Sequence, residues 1–226
     1  MSYRIAVIGG TGPQGKGLGY RFARHGHTVV LGSRSAEKAT PVAEEVTARL
    51  ADVEGAGEVL GASNTEALVG ADAVLIAIPW DGHDEMIASL AADGGLDGKV
   101  VISCVNPLGF DKGGPFGRAV EGGESSAAES AQRLAPGATV VGAFHHVSAV
   151  TLWGEEEYLD HEDILVCGDD AEAKQVAIEL ARSVVGRDGV DAGKLRLARQ
   201  LEPWTAVLIS INKRYKIHSG TRISGL

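Results

Sequence analysis

The sequence predicts an α/β fold, with a doubly wound parallel sheet followed by a smaller α/β lobe. Short apolar runs alternate with helix-like segments, as expected for strands that are buried on both faces of a parallel sheet. A glycine-rich turn joins the first strand to the first helix, and the pattern changes after about residue 155. We therefore predict two domains, residues 1–155 and residues 156–226, a division that a chain of 226 residues can support.

The first strand-to-helix junction carries the strongest signal. The apolar run YRIAVI leads directly into GTGPQG at residues 10–15, which has the spacing G-x-G-x-x-G. These glycines allow a tight turn, close approach of the backbone to a pyrophosphate, and close packing of helix on strand. The motif alone also fits an ordinary βα turn. Because a strand, a helix and a second strand surround it, it favours a dinucleotide-binding domain of the Rossmann type.

The second strand, predicted over residues 28–32, ends where such domains distinguish NAD from NADP. An NAD-binding protein carries an acidic residue about 20 residues beyond the glycines. This chain has Ser33 and Arg34 there, and Lys38 lies on the same side of a helix that Ser35 would cap. A guanidinium and a hydroxyl suit the 2′-phosphate of NADP. The alternative is a solvated, basic helix start.

The following elements continue the alternation of strands and helices. Asn64 is a candidate N-cap of a short helix, and the glycine-rich residues 109–126 are predicted to form a mobile loop. Further strands are predicted over residues 58–60, 73–78, 99–105, 138–144 and 163–167, and near Val190. Helices are predicted over residues 171–185 and 203–217.

Three strand ends carry residues suited to a ligand cleft. Ligands of open parallel sheets bind beyond the carboxyl ends of the strands, near the point where strand order reverses. Trp80 offers a flat apolar wall or plain packing, and Asn106 a hydrogen-bonding group or a routine turn residue. His145 suits a proton donor, a hydrogen-bond partner of a bound ring, or a satisfied structural histidine. The cleft region has no Y-x-x-x-K pattern, which is compatible with hydride transfer between two stacked heterocycles.

Composition and charge narrow the class of protein. Cys104 and Cys167 lie in apolar, strand-like segments, so we expect buried free thiols, and no metal-ligand spacing is present. We expect a soluble cytoplasmic protein that binds neither membranes nor, with a net charge of −9, nucleic acid. From Lys194 onward, however, seven cations accompany one acid, Glu202. This basic part could attract an anionic ligand, or pack against the acidic body or a second subunit.

Several segments together resemble one enzyme family. They are IGGTGPQGKGLG, GSR with Lys38, AIPWDGH, VNPL, AFHHVSA, VCGDD, VDAGKL and INKRYK…GTRISGL. In this order, and over nearly the whole chain, they resemble the NADPH-dependent F420 reductases, or F420H2:NADP oxidoreductases. The resemblance implies a homodimer that transfers a hydride reversibly between NADP(H) and the deazaflavin coenzyme F420. Other hypotheses are an NADPH-dependent reductase of a flavin, ferric chelate, imine or ketone, and a non-catalytic NADP-sensing module.

The resemblance also implies roles for individual residues, without a covalent intermediate or an obligatory side-chain acid. The residues that would hold the pyrophosphate are Thr11, Gly12, Pro13 and Gln14. Those at the 2′-phosphate would be Ser33, Arg34 and Lys38. Those around the nicotinamide and its ribose would be Ile78, Trp80, Asn106 and Ala149. Those near the deazaflavin would be Val147, Ser148 and His145, the last with at most an auxiliary role. The cations expected to attract the anionic phosphodiester and glutamate tail of F420 are Lys213, Arg214 and Arg222. Residues 109–123 match the family least well.

Overall fold

A computed structural model describes residues 2–120 and 126–226 of the chain. The elements of its first half are β1 (Arg4–Ile8), α1 (Pro13–Arg24), β2 (Thr28–Ser33), α2 (Ala36–Arg49), β3 (Val59–Ser63), α3 (Asn64–Ala67), β4 (Ala73–Ile76), α4 (His83–Ala91) and β5 (Val100–Ser103). Those of its second half are β6 (Leu108–Asp111), β7 (Gly114–Gly117), α5 (Ala127–Leu134), β8 (Thr139–Gly142), α6 (Ala149–Leu152), β9 (Leu165–Gly168), α7 (Ala171–Val185), β10 (Val190–Gly193) and α8 (Ala198–Tyr215). Short 3-10 turns cover Ala92–Gly94 and Leu195–Leu197.

Eight strands form one sheet in the order β10-β9-β8-β5-β4-β1-β2-β3. Pairing is parallel throughout, except that β8 and β9 run antiparallel. The predicted doubly wound, mostly parallel sheet is therefore confirmed. The chain proceeds from β1 outward to β3 and then crosses back to β4 on the other side of β1. Strand order reverses between β1 and β4, so a ligand crevice is expected at their carboxyl ends.

The apolar strands are continuous because the sheet is covered on both faces. Ile5, Ala6, Val7 and Ile8 of β1 are all fully buried. Ile5 and Val7 belong to one hydrophobic cluster, with α1 and α7, whereas Ala6 and Ile8 belong to a second cluster, with α4 and α5. Successive side chains of a strand point to opposite faces, so an uninterrupted apolar run supplies both cores.

Residues 108–117 differ from the sequence prediction, which placed a mobile loop over residues 109–126. They form the antiparallel β6–β7 hairpin, with Leu108 opposite Gly117. The hairpin packs on α8, where a Cβ on Gly117 would lie 2.7 Å from Cβ of Pro203. Arg118 then donates to Asp81 at 2.6 Å. The mobile-loop prediction was wrong here because glycines hide the alternation of a strand, and because the hairpin is held by contacts with the distant helix α8. Residues 121–125 lie outside the described residues.

Two helix starts also differ from prediction. Ser63, and not Asn64, is the N-cap of α3, where its hydroxyl accepts from the Glu66 amide and the Glu66 carboxylate accepts from the Ser63 amide. α8 begins at Ala198, with Pro203 inside it, and not at Pro203. Pro203 is the sixth residue of α8, so it leaves the Arg199 carbonyl without its helical N–H donor, but the helix continues through it and the proline does not mark the boundary.

The predicted domain boundary at residue 155 falls between α6 and β9. Both β9 and β10 continue the same sheet beyond that point, and α7 covers one of its faces. The division into two domains stays a prediction. Cys104 and Cys167 are buried free thiols, as expected. No helix within residues 2–120 and 126–226 has the length and apolar character needed to cross a bilayer.

Candidate active site

A cleft of about 450 Å³ opens at the carboxyl ends of β1, β4, β5 and β8, with α8 as its far wall. This volume suits a small-molecule site. Ten of the fourteen predicted site residues line it: Gly12, Pro13, Gln14, Ile78, Trp80, Asn106, His145, Val147, Ser148 and Ala149. The remaining four lie on the other side of β1, at or beside the tip of β2: Thr11, Ser33, Arg34 and Lys38.

The glycine turn places the start of α1 at one end of the cleft. Gly12 is the N-cap, makes no side-chain cap, and is followed by Pro13 as the first helical residue. A Cβ on Gly15 would lie 2.6 Å from the carbonyl oxygen of Gly9, so only glycine allows this approach of helix to turn. Pro13 has no N–H and the Gly12 amide donates to the Gly9 carbonyl at 3.0 Å, so the amides of Gln14 and Gly15 are the first-turn donors without intrahelical acceptors and form an anion-binding group at this end of the cleft.

The tip of β2 carries a hydroxyl pair and two exposed cations. Ser33 is buried, and its hydroxyl lies 3.4 Å from the Thr11 hydroxyl, which ties the second strand end to the glycine turn. Arg34 and Lys38 are exposed, and neither makes an ion pair with any residue that the structure describes. Ser35 is the N-cap of α2, as predicted, although its side chain makes no capping bond.

The floor of the cleft holds buried polar atoms without partners. Asn106 donates through Nδ2 to the His145 carbonyl at 3.0 Å, which leaves its buried Oδ1 without a hydrogen bond to any described residue. Thr205 of α8 donates to the same carbonyl, also at 3.0 Å. Neither ring nitrogen of His145 reaches hydrogen-bond geometry with the described residues. Such atoms are costly to bury unpaired, so they point to a partner beyond the described residues.

His145 is a neutral imidazole in this environment. Burial, and to a smaller extent the neighbouring His146, lower its pKa to about 3, and the Val105 carbonyl only partly offsets them. Phe144, just before it, adopts φ 63°, which is rare for a bulky residue and turns the chain sharply at the end of β8. A neutral ring offers one donor and one acceptor to a ligand.

The sequence left a structural role open for His145. In the structure, it is His146 that has such a role. Its Nε2 donates to the Leu201 carbonyl at 2.7 Å, which leaves Nδ1 to accept from the Thr221 hydroxyl at 3.2 Å. Burial lowers the pKa of this ring as well. His146 thus ties the strand end to both α8 and the C-terminal segment, while the ring nitrogens of His145 are buried without a hydrogen bond to the described residues.

The far wall of the cleft was missed by sequence reasoning. Thr205, Leu208, Ile209 and Asn212 line the cleft from α8, and Ser219 follows from the C-terminal segment. Spacings of three and four residues place the helical positions on one face. That stripe was visible in the sequence, but nothing local indicated that it faces a ligand rather than the core.

Arg21 was also missed, although it fixes the near wall. It is fully buried on α1 and donates to the carbonyls of Thr151 and Leu152 at the end of α6, each at 2.8 Å. A Cβ on Gly17 would lie 2.7 Å from Cβ of Leu152, so α1 and α6 pack tightly. Gln14 adds a bond from Nε2 to the Val147 carbonyl at 3.3 Å. These contacts set the distance between the glycine turn and residues 145–149.

A glycine turn at the switch point of a parallel sheet, opening into a cleft, defines the class of Rossmann-type dinucleotide-binding proteins. Residues 4–107 match the family model described as NADP oxidoreductase coenzyme F420-dependent. An F420-dependent NADP reductase of Methanothermobacter thermautotrophicus is 37% identical, covering 100% of this chain and 97% of its own length. Another, of Methanocaldococcus jannaschii, is 35% identical, with 99% of both chains covered.

Solved structures agree with this assignment. A protein from Arthrobacter sp. FB24, provisionally described as an F420-dependent NADP reductase, superposes with a TM-score of 0.77 at 28% identity. The match covers 99% of this chain and 100% of that one. The chain belongs to the family of F420-dependent NADP reductases.

Proposed function

We propose that the protein is an oxidoreductase that transfers a hydride reversibly between NADP(H) and coenzyme F420 within this cleft. The observation that carries the proposal is the cleft's continuity, since one cavity joins the start of α1 to the wall formed by α8. Two planar ring systems can therefore lie against each other inside it. Relatives matched over the full chain are named for these two substrates.

The glycine turn and the tip of β2 fit the nucleotide half of NADP(H). Gly12, Pro13 and Gln14 would surround the pyrophosphate, which would accept from the free amides of Gln14 and Gly15, with the Thr11 hydroxyl beside it. The proposed 2′-phosphate partners are Ser33, Arg34 and Lys38. Support comes from the two exposed cations, which have no ion pair among the described residues and can form charge-assisted bonds.

The floor of the cleft fits the nicotinamide and its ribose. Ile78, Trp80 and Ala149 supply its apolar surface, and all three line the cavity. The unpaired Oδ1 of Asn106 is an acceptor for the amide of the carboxamide or for a ribose hydroxyl. An otherwise orphaned buried acceptor would thereby gain its missing hydrogen bond.

The side of the cleft nearest α8 fits the deazaflavin. His145, Val147 and Ser148 would contact it, and the neutral ring of His145 can donate one hydrogen bond to it. When both substrates are bound, their rings supply the hydride donor and acceptor. The chain's own contribution is to bind, align and desolvate them.

The titratable groups of the cleft support a role in positioning over acid–base chemistry. His145 and His146 are held neutral by burial. Burial raises the pKa of the Cys104 thiol to about 12, and the thiol donates to the Ile76 carbonyl at 3.2 Å. It is therefore neither a thiolate nucleophile nor an acid at neutral pH. Ring stacking needs none of these groups to change charge.

Substrate comparison tests the proposed function. Reduction of F420, followed by loss of its visible absorbance, should be rapid with NADPH and slow with NADH. The same enzyme should turn over riboflavin, a ferric chelate and a cyclic imine far more slowly. If any of these compounds is turned over faster than F420, that compound and not F420 is the preferred acceptor. Tight NADP(H) binding without turnover of any acceptor would indicate an NADP-sensing module.

We also propose a homodimer that acts in the cytoplasm. Large apolar side chains of the hairpin and of α8 are exposed, among them Phe110, Phe116, Trp204 and Val207, of which Phe110 is 68% exposed. Large exposed apolar patches mark interaction surfaces. The two free buried thiols suit a reducing compartment. Light scattering should give twice the chain mass of 23.4 kDa, whereas the single mass would overturn the dimer.

A further inference from the structure

The end of α8 carries a group of cations that the proposed function has not used. Residues 203–226 contain no acidic residue. We define the basic turn as residues 213–218, which include Lys213, Arg214, Lys216 and His218. All four side chains are exposed, and none of them forms an ion pair with a residue that the structure describes. The chain as a whole has a net charge of −9, so this turn differs in sign from most of the surface.

Arg222, which the sequence suggested as part of the same group, is already engaged. It donates through Nη1 to the Asp160 carbonyl at 2.7 Å, and its Nε lies 3.7 Å from Oδ2 of Asp163. Its charge therefore serves to hold the C-terminal segment against residues 160–163. Of the cations in residues 203–226, those of the basic turn form no ion pair with the described residues.

The basic turn is fixed at the mouth of the cleft. Asn212 before it and Ser219 after it both line the cavity. Oδ1 of Asn212 accepts from both the amide and the hydroxyl of Ser219, each at 2.7 Å, while the Asn212 carbonyl accepts from the Lys216 amide. Nδ1 of His218 lies 3.5 Å from the hydroxyl of Ser148, another cleft residue. Asn212 and Ser219, the residues on either side of the basic turn, are therefore bonded to each other and both line the cavity.

Helical spacing indicates which of these cations extend the cleft wall. Thr205, Leu208, Ile209 and Asn212 form the stripe of α8 that lines the cavity. Positions four residues on lie on the same face of a helix. Lys213 follows Ile209 and lies on this face, whereas Lys216, with φ 56°, ends the helix at the C-cap. Lys213 therefore continues the wall on which the deazaflavin is proposed to rest, and Lys216 lies where that wall ends, at the mouth of the cleft.

We propose that the basic turn binds the anionic tail of the deazaflavin coenzyme, that is, its phosphodiester and the carboxylates of its glutamates. The proposal rests on the proposed function, because it needs the deazaflavin ring on the α8 side of the cleft. The tail leaves the ring at the cavity mouth, where the basic turn supplies uncompensated positive charge. On the other side of β1, the proposed 2′-phosphate partners Arg34 and Lys38 do the same for the second substrate.

The expected contribution is moderate, because the cations are exposed. Surface ion pairs are weak individually and are screened by salt within about 8 Å at physiological ionic strength. Two lysines facing a multiply charged tail should change affinity roughly tenfold at low salt. They should not affect binding of the ring.

A pair of ligands and a pair of variants test the tail site. The test variant is Lys213→Gln/Lys216→Gln. The matched control, Lys194→Gln/Arg196→Gln, removes the same charge before the start of α8, roughly 27 Å away along an 18-residue helix. The ligands are F420 and its truncated precursor, which has the same deazaflavin ring and ribityl chain but no phosphodiester or glutamates. Dissociation constants are measured by calorimetry without NADPH, at low and high salt.

We expect the test variant to bind F420 about tenfold more weakly than the wild type at low salt, and to lose most of the salt dependence. Its affinity for the truncated precursor and for NADPH should stay unchanged, as should every dissociation constant of the control. An equal loss of affinity for the truncated precursor and F420, or no loss of affinity for F420, would overturn the tail site. So would a change of oligomeric state in the test variant with F420 affinity intact, because the turn would then contact a second subunit.

The tail site and the proposed function fail differently. If the wild-type protein binds neither deazaflavin, the proposed function is wrong and the tail site with it. If the wild type binds and reduces both with equal affinity, the proposed function stands and the tail site is overturned.

Discussion

The two walls of the cleft are built by different means. The proposed nucleotide wall comes from two short segments, the glycine turn and the tip of β2, and its shape depends on contacts between near neighbours such as Gly15 and Gly9. The proposed deazaflavin wall is assembled from α8, residues 145–149 and the C-terminal segment, joined by bonds such as that between His146 and Thr221. Local backbone conformation sets the first wall, whereas contacts between distant segments set the second.

This difference predicts separable defects. A change in the glycine turn should affect NADP(H) and leave F420 nearly unaffected, and a change in the ties of the C-terminal segment should do the reverse. We make four predictions that test this difference, in order from the largest expected effect to the smallest.

Gly15→Ala should cause the largest loss. Its Cβ would lie 2.6 Å from the Gly9 carbonyl oxygen, so either α1 or the turn must move. A displacement of this size next to the reacting groups can cost about 100-fold in rate, and we expect NADPH affinity to fall by a similar factor. Calorimetry with NADPH and with F420 measures the split.

Gly12→Ala is the matched control for packing. Its Cβ would meet nothing closer than 3.4 Å within the protein, so the fold should tolerate it. If Gly12→Ala keeps its melting temperature but still binds NADPH poorly, the phosphate approaches the turn closely, as proposed. Equal losses of NADPH and F420 affinity in Gly15→Ala would show that the two walls are not independent.

Glu162→Gln should change stability with pH, because Glu162 lies buried beneath the C-terminal segment. Both carboxylate oxygens lack hydrogen bonds to the described residues, and burial raises the pKa of this carboxyl to about 7. The group binds its proton more tightly when folded, so its stabilising contribution is complete below pH 4.5 and is lost as pH rises through 7. The exposed His161 ring, with Nε2 3.5 Å from Oε1, faces it from the solvent side.

The glutamine variant cannot ionise. We expect it to match the wild type near pH 5 and to be more stable at pH 8 by up to about 3 kcal/mol, measured by urea unfolding. Asp163→Asn is the control of opposite sign. Asp163 accepts from the Ile223 amide and from Arg187, and these bonds and charges hold its pKa below the ordinary value despite burial. That variant should be destabilised at pH 8, and a stabilised one would contradict this account.

Arg34→Ala should separate the two nicotinamide cofactors. Loss of a charge-assisted contact to the 2′-phosphate is expected to cost about 2–3 kcal/mol in kcat/KM for NADPH. NADH lacks that phosphate, so its kcat/KM should scarcely change. Steady-state assays with both cofactors measure the ratio, and parallel losses would remove Arg34 from the phosphate site.

Thr221→Val should have the smallest effect, limited to the deazaflavin wall. It removes the hydroxyl that donates to Nδ1 of His146, a bond worth about 1 kcal/mol net. We expect KM for F420 to rise about fivefold and KM for NADPH to stay constant. Ser224→Ala, exposed on the same segment, should behave as the wild type. An effect on NADPH equal to that on F420 would mean that Thr221 supports the whole cleft.

Much of the candidate site could be predicted from local pattern. The glycine turn, the strand ends and ten of the fourteen predicted site residues meet in one cavity, because parallel strands bring their carboxyl ends to the same edge. Arg21 could not be predicted in this way. A cation on an amphipathic helix normally faces solvent, and its burial depends on carbonyls of residues 151–157, about 130 positions away.

The sequence by itself determined the alternation of strands and helices, the glycine turn and the strand ends that meet in the cleft, because hydrophobic period and glycine conformation act over a few residues. Only the tertiary structure decided that residues 108–117 form a hairpin on α8, that His146 bonds to α8 while the His145 ring is buried without a described partner, and that Arg222 is engaged while the cations of the basic turn form no ion pair with the described residues. These outcomes depend on which distant groups meet. The reason is physical: a buried polar group or a bound cation is satisfied by its neighbours in space, and sequence proximity does not fix them.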